Sequence, residues 1–458
     1  MPAFTGSEHG AAIRIAKGEI MRASSLGTWG RRLLAIGAAA VLPAQAGGGY
    51  FVLGYGPEAA QSAGTSTAIG LDAFAGASNP AKLSAVGLRR DLGLLAFSPN
   101  RRIEREGSAD PNFDLTSTSK NKLFLLPEFG YAARINEALS WGISLYGNGG
   151  LNTDYRAESP VPGSNAAPAR CGNQPGNFFL GCGQLGFDLS QLIMATPLSW
   201  RYAPGQSVGI APLLAYQRFK AYGLQAFEGL SAHPDAVTNN GYEGAFGAGV
   251  RIGWYGQLLP WLHLGAAYST RVYMQNFESY RGLLAGNGSF DIPENLSLGL
   301  AVMPIPKLTM GFDWQRIHFG QIKALGNGVL NSLTDPAANP LGSSTGSGFN
   351  WRNQTNYRLA LAYAALPTLT LRAGFAYGER PQRDASVNSA SFNLMTPNPV
   401  RNVTGGFTWT FAAGHDLQFA YGRYLKGTYG GPSATALGGY ESVTPYVNTF
   451  YLGWSRRY

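Results

Sequence analysis

The chain has 458 residues, of which 13% are charged and 12% aromatic, and glycine occurs 62 times. Low charge with abundant aromatic and glycine residues suits a β-protein that shows apolar side chains to something other than water. The formal net charge is +9, but no Lys/Arg-rich run appears, which argues against a nucleic-acid partner.

Near the start, Arg31 and Arg32 precede the apolar run LLAIGAAAVL, and Ala44-Gln45-Ala46 forms a small-x-small cleavage pattern. The run is too short to span a bilayer, so residues 1–46 read as an export signal. Glu8 and Glu19 stand where a basic segment is expected, so Met21 is the expected true start and Gly47 the expected mature terminus. Residues 47–88 follow as a small unit without a strand series. Its stretch GASNPAKLSAVG (76–87) is small-sided and broken by Gly and Pro. There Asn79 is suited to capping backbone groups, and Pro80 fixes a turn.

From residue 89 to the end, apolar and polar residues alternate with period two. Leu296, Leu298, Leu300 and Val302 are followed by Leu308, Met310, Phe312 and Trp314; Leu369, Leu371, Ala373 and Phe375 repeat the pattern, as do Phe407, Trp409 and Phe411. Short connections near 135–138, 203–206, 258–260, 304–306, 365–368 and 412–416 alternate with long ones near 104–121, 151–185, 221–242, 277–292, 321–350, 379–398 and 427–444. Thirteen connections imply fourteen antiparallel strands, with short turns at one rim, long loops at the other, and both termini on the short-turn, periplasmic side. This predicts an all-β, 14-stranded transmembrane barrel over 89–458 in the outer membrane of a Gram-negative cell. Such a barrel pairs every backbone group without leaving an edge. A soluble sandwich or propeller is the rival, but no repeat of about 40 residues is present.

Several side chains invite a chemical reading. Cys171 and Cys182 share a Pro/Gly/Asn-rich loop, where an exported protein favours a disulfide over free thiols. His233, His263, His318 and His415 are scattered, with no metal-ligand spacing. There is no G-x-S-x-G elbow. Neither a catalytic residue, a metal nor a cofactor is expected. An outer-membrane enzyme and a general polar-solute porin are the alternatives, and the porin would ordinarily carry charged rings in its lumen. In the final strand Phe450, Leu452, Trp454 and Tyr458 share one face, interrupted by Arg456. That ending resembles the signal read by the outer-membrane assembly machinery.

GGYF near the mature start, LDAFAGASNPAKL, SWGISLYGNGGLNTDY (140–155), DIPENLSLGL, DWQRIHFGQIKAL and NYRLALAY, in that order, resemble the FadL/TodX family of outer-membrane transporters for long-chain fatty acids and other hydrophobic compounds. The resemblance implies that 47–88 form a hatch inside the barrel. It also implies that an apolar ligand binds among the long loops and leaves sideways, where the third strand bends inward, with Asn79, Pro80 and Ala81 lying against that gap. Gly147, Gly149 and Gly150 sit at the matching place, and glycine within a strand marks a kink or close approach. An outer groove is expected from Leu224, Phe227 and Leu230 with Phe277, Tyr280, Leu283 and Leu284, although these residues equally well pack the loops together. Arg218 and Lys220 are the nearest candidates for an anionic headgroup. The expected partners are a hydrophobic small molecule, outer-membrane lipid and lipopolysaccharide, and the chain is expected to be a monomer.

Overall fold

A computed structural model describes residues 49–156, 163, 171–382, 399–433 and 438–458. The expected export signal therefore lies outside the described residues. The described residues fall in one compact unit.

Alternation drives the chain into one closed antiparallel sheet. In chain order the wall consists of β1 (Arg89–Glu106), β2 (Leu115–Thr118 and Phe124–Arg134), β3 (Leu139–Asn152) and β4 (Gly186–Ala195 and Leu198–Ala203). It continues with β5 (Gln206–Tyr222), β6 (Glu243–Leu259), β7 (Leu262–Ser269 with Tyr273–Met274), β8 (Asn295–Ile305) and β9 (Leu308–Ile317). It ends with β10 (Gln354–Leu366), β11 (Leu369–Gly378), β12 (Arg401–Ala412), β13 (His415–Tyr424 with Tyr429–Pro432) and β14 (Tyr440–Arg457). Each strand pairs with its sequence neighbours, and β1 pairs with β14 from Arg89↔Arg457 to Glu106↔Tyr440, which closes the barrel. The fourteen strands and the six short turns stand where the alternation predicts them.

Which face points where follows from parity. Leu298, Met310, Leu359, Leu361 and Leu452 are exposed on the outside, whereas Ser297, Asp313, Arg358 and Gln418 are buried inside. Trp141, Trp200, Trp261 and Trp409 stand exposed near the short turns, and Tyr242, Tyr273, Tyr357, Tyr377 and Tyr421 near the long-loop end. Two aromatic belts bounding an aliphatic band are the signature of a barrel seated in a bilayer. At the chain end Phe450, Leu452 and Tyr458 share this outward face.

The lumen is filled by residues 49–88. Asn79 caps the turn that Pro80 begins, its Oδ1 accepting the Ala81 N–H at 3.2 Å. The same side chain donates from Nδ2 to the Thr67 and Trp254 carbonyls, and the Ala81 carbonyl accepts from Ser199 and Ser207 on β4 and β5. Wall glycines make room: a Cβ on Gly209 would press on Pro80 and Ala81, and one on Gly253 would strike Asn79. On the opposite wall, Asp313 of β9 accepts the Ser66 N–H (2.8 Å), the Thr67 N–H (2.9 Å) and the Thr67 hydroxyl (2.8 Å) through one oxygen. Glu58 pairs with Arg372 of β11 at 3.1 Å. Within the hatch, burial, with Glu58 and Asp91 beside it, pushes the Asp72 carboxyl up to about 7. Burial also pulls the Lys82 ammonium down to about 8, against the attraction of Asp72, Asp313 and Glu58. Lys82 spends its protons on the Ile69 and Gly70 carbonyls, at 2.6 and 2.8 Å.

Candidate ligand path

β3 begins as an ordinary strand and does not finish as one. Its pairing with β2 runs from Arg134↔Ser140 to Phe129↔Leu145 and stops. Above that point Phe124–Glu128 of β2 still pairs with β1, but among the described residues β3 does not continue the ladder. The register toward β4 shifts between Gly147 and Gly149, and every residue from Tyr146 to Asn152 is buried. The strand has turned into the lumen.

What satisfies its backbone there is the start of the hatch. The Val52 N–H donates to the Asn148 carbonyl, and the Gly150 N–H donates to the Tyr50 carbonyl, both at 3.0 Å. A Cβ on Gly149 would run into that Tyr50 carbonyl, so only glycine admits the approach. The expected neighbours of the kink therefore need correcting. Gly147, Gly149 and Gly150 form the bend, but Asn79, Pro80 and Ala81 pack on β4–β6. Tyr50–Val52 occupy the place expected of them. The physical reason is that the kink needs free backbone groups, and Asn79 and Ala81 have already committed theirs. The seam left between β2 and β3 is filled by Leu126, which covers Gly147, in one cluster with Val52, Phe97 and Phe124.

At the other end of the lumen the long loops enclose a cleft of about 640 Å³, counting its open mouth. Leu224, Phe227, Leu230, Leu283 and Leu284 all line it, with Phe179, Phe187, Val329, Leu341 and Phe349. Phe277 and Tyr280 lie just beneath, fully buried, with ring centres 5.4 and 4.9 Å from Phe219. One wall comes from the loop after β9, among the long connections of the sequence. Its apolar residues Ala324, Leu325, Val329, Leu330 and Leu333 recur at helical spacing, which was the available signal. Lys323–Gly326 and Asn331–Thr334 are indeed short helices.

Between the cleft and the kink the rings form a chain. Phe349, in the cleft wall, lies 6.5 Å from Trp351; Trp351 lies 5.2 Å from Phe319; and Phe319 lies 5.2 Å from Tyr50, whose carbonyl meets Gly150. Beneath Phe51 is a small cavity bounded by Tyr55, Arg251, Asn295, Gln315 and Arg358. The two arginines were missed from sequence, although each stands at an inward position of its strand. Arg251 donates to the Tyr146 hydroxyl at 3.4 Å, and Arg358 to the Gly64 carbonyl and Gln315.

Arg218 and Lys220 are not on this path. On β5 the inward residues are Gln217, Phe219 and Ala221, so Arg218 and Lys220 point out of the barrel and cannot reach a ligand held in the lumen. Cys171 and Cys182 are joined in a disulfide with Cα atoms 5.5 Å apart. Cys182 lies beside the loop of the cleft, its N–H donating to Gln225.

Residues 194–430, from within β4 into β13, match the model of the outer membrane transport protein family OMPP1/FadL/TodX. The chain belongs to this family. Among solved FadL/TodX-type structures, it is similar to the Pseudomonas putida toluene transporter TodX (17% identity, 88% of this chain and 99% of that one, TM-score 0.64). It is also similar to the Ralstonia pickettii toluene transporter TbuX (17%, 88% and 98%, TM-score 0.58) and to a Pseudomonas aeruginosa FadL homologue (15%, 89% and 99%, TM-score 0.62). At these identities the structural likeness speaks for the fold. No curated protein sequence matches the chain. Membership in the FadL/TodX family places this barrel in the outer membrane as a transport protein, and its polar lumenal wall carries a hatch rather than an open channel.

Proposed function

We propose that the barrel takes up hydrophobic small molecules by passive binding and lateral release. The ligand binds in the loop cleft, moves along the rings from Phe349 to Tyr50, and leaves through the seam between β2 and β3. One observation carries this reading: apart from two serines and a glycine, the cleft is lined by apolar side chains. Such a surface has nothing to offer a polar solute and gains about 25 cal/mol for each Å² of apolar area it covers. Lateral release keeps that gain, because the molecule passes into lipid without crossing water. The related structures named for toluene transport support a hydrocarbon cargo.

A second reading within the same scheme is favoured by Arg251 and Arg358. Two guanidinium groups bordering the cavity under Phe51 fit a carboxylate, and hence a fatty acid. Mass spectrometry of apolar molecules extracted from the purified protein, with uptake of a labelled alkane and a labelled fatty acid into cells, tests both. Fatty-acid uptake that falls in Arg251→Gln while alkane uptake persists selects the second reading. Sugar-driven liposome swelling without uptake of either probe overturns the scheme.

A further inference from the structure

The inward turn of β3 also leaves a hollow on the outside of the wall. Along the outward row of β5, Val208, Ile210 and Leu214 are exposed aliphatics; above them the row changes to Tyr216, Arg218, Lys220 and Tyr222. The change falls at the level of Tyr242, in the outer aromatic belt. There a cleft of about 1520 Å³, counting its open mouth, runs from Leu123 and Phe124 of the β2 side, past Asn152 and Asp154, to Lys220 and Tyr242. Unlike the loop cleft it is polar, with Gln174, Gln184, Gln225 and Asn239 around its rim.

We propose that this notch binds the phosphorylated saccharide headgroup of an outer-leaflet glycolipid. Three observations converge. First, the charge is right. Lys220 lines the notch beside Asp154 and Asp188; Lys120 and Arg156 act with it on Asp154, and Arg218 on Asp188, so four cations surround two carboxylates. A phosphate is the group such an excess attracts. Second, the cations are held in place on rings. The Arg218 guanidinium lies 4.2 Å from the Tyr242 ring centre, and the Lys220 ammonium lies 4.5 Å from the same ring and 4.9 Å from that of Tyr222. Tyr242 is tied in turn to Asp188 at 2.5 Å. Third, the position is right. The lining of the notch includes Lys220 and Tyr222 of the outward row of β5 and the exposed Leu123 and Tyr242, above the aliphatic row that acyl chains would cover. The amide and carboxylate side chains supply donors and acceptors for sugar hydroxyls. The assignment does not depend on which hydrophobic cargo the lumen carries.

The test uses the full mature chain in detergent micelles, with adducts counted by native mass spectrometry. The probes are an acylated disaccharide bearing phosphates, the same lipid without phosphates, and the deacylated, water-soluble disaccharide phosphate. The expected result is one tightly retained phosphorylated glycolipid, with retention at least about tenfold weaker for the other two probes. The double variant Arg218→Gln, Lys220→Gln should also weaken it at least about tenfold; Lys220→Gln alone serves if the double variant does not fold. Wild-type retention in a heat-modifiable, folded variant overturns the proposal, as does equal retention of the lipid without phosphates. Equally tight binding of the deacylated sugar would make the notch a site for soluble sugar phosphates and would end the glycolipid assignment.

Discussion

Of the stretches of wall that meet the hatch through glycine, β8–β9 and β3 make a telling pair: the first stays straight and the second bends. On β8 and β9, Gly299 and Gly311 let Thr65–Ile69 lie close against the sheet, yet the ladder between these strands is unbroken from Asn295↔Ile317 to Val302↔Met310. On β3, Gly147, Gly149 and Gly150 accompany the loss of the β2 ladder. The difference lies in which groups make the contact. At β9 the hatch is held by a side chain, the Asp313 carboxylate, so the wall keeps its backbone pairing. At β3 the hatch offers its own backbone, Tyr50 and Val52, which replaces the bonds the strand gives up. Glycine permits close approach in both places. A bend forms where another backbone is ready to take over the pairing, because a buried N–H or C=O without a partner is too costly to leave.

That comparison can be broken most directly at Gly149. A Gly149→Val side chain has no room beside the Tyr50 carbonyl and should expel the hatch N-terminus from the bend. Uptake of an apolar probe should fall at least about tenfold while abundance and heat-modifiable migration stay normal, the overpacking amounting to about 1–3 kcal/mol. Unchanged uptake in a folded variant would show that the bend is not the exit.

On the opposite wall, Asp313→Ala should loosen the hatch without bending β9. Two buried amide groups lose their acceptor, at about 1–3 kcal/mol each. Hydrogen exchange at residues 64–69 should quicken by about a hundredfold or more, with the protection of β8 and β9 unaltered. A matching loss in those strands would mean that the side-chain contact also supports the ladder.

A smaller effect is expected in the cleft, which neither wall contact touches. Leu284→Ala removes apolar surface from its lining and should weaken binding of a hydrophobic probe about tenfold by equilibrium titration. The hatch exchange pattern should not change. Equal affinity would indicate that the loop residues merely pack against one another.

The smallest effect concerns pH. Asp72 holds its proton up to about 7 in the folded hatch, against about 3.9 in an unfolded chain. The folded form thus binds the extra proton between these values. Its contribution to stability is complete below the lower value and is lost as pH rises through about 7. Hatch amides should exchange more slowly at pH 5 than at pH 8 once the intrinsic rate is corrected, and Asp72→Asn should flatten the difference. A reversed dependence would place the controlling charge elsewhere.

Strand number, the alternation of short and long connections and the lipid-facing rows were all legible in the chain, because period two is a local property that the pleat imposes on each strand separately. The apolar residues of LQAFEGL and FESYRGLL were legible for a similar reason, being conspicuous in loops that water would otherwise cover. The contacts across the lumen were not. Nothing local says that Tyr50, rather than Asn79, meets Gly150, that Arg251 and Arg358 border one cavity, or that Lys220 faces outward into a notch. Those relations join residues about a hundred positions apart or depend on which way a strand turns. They are decided only when the closed barrel brings the hatch backbone against a strand with bonds to spare.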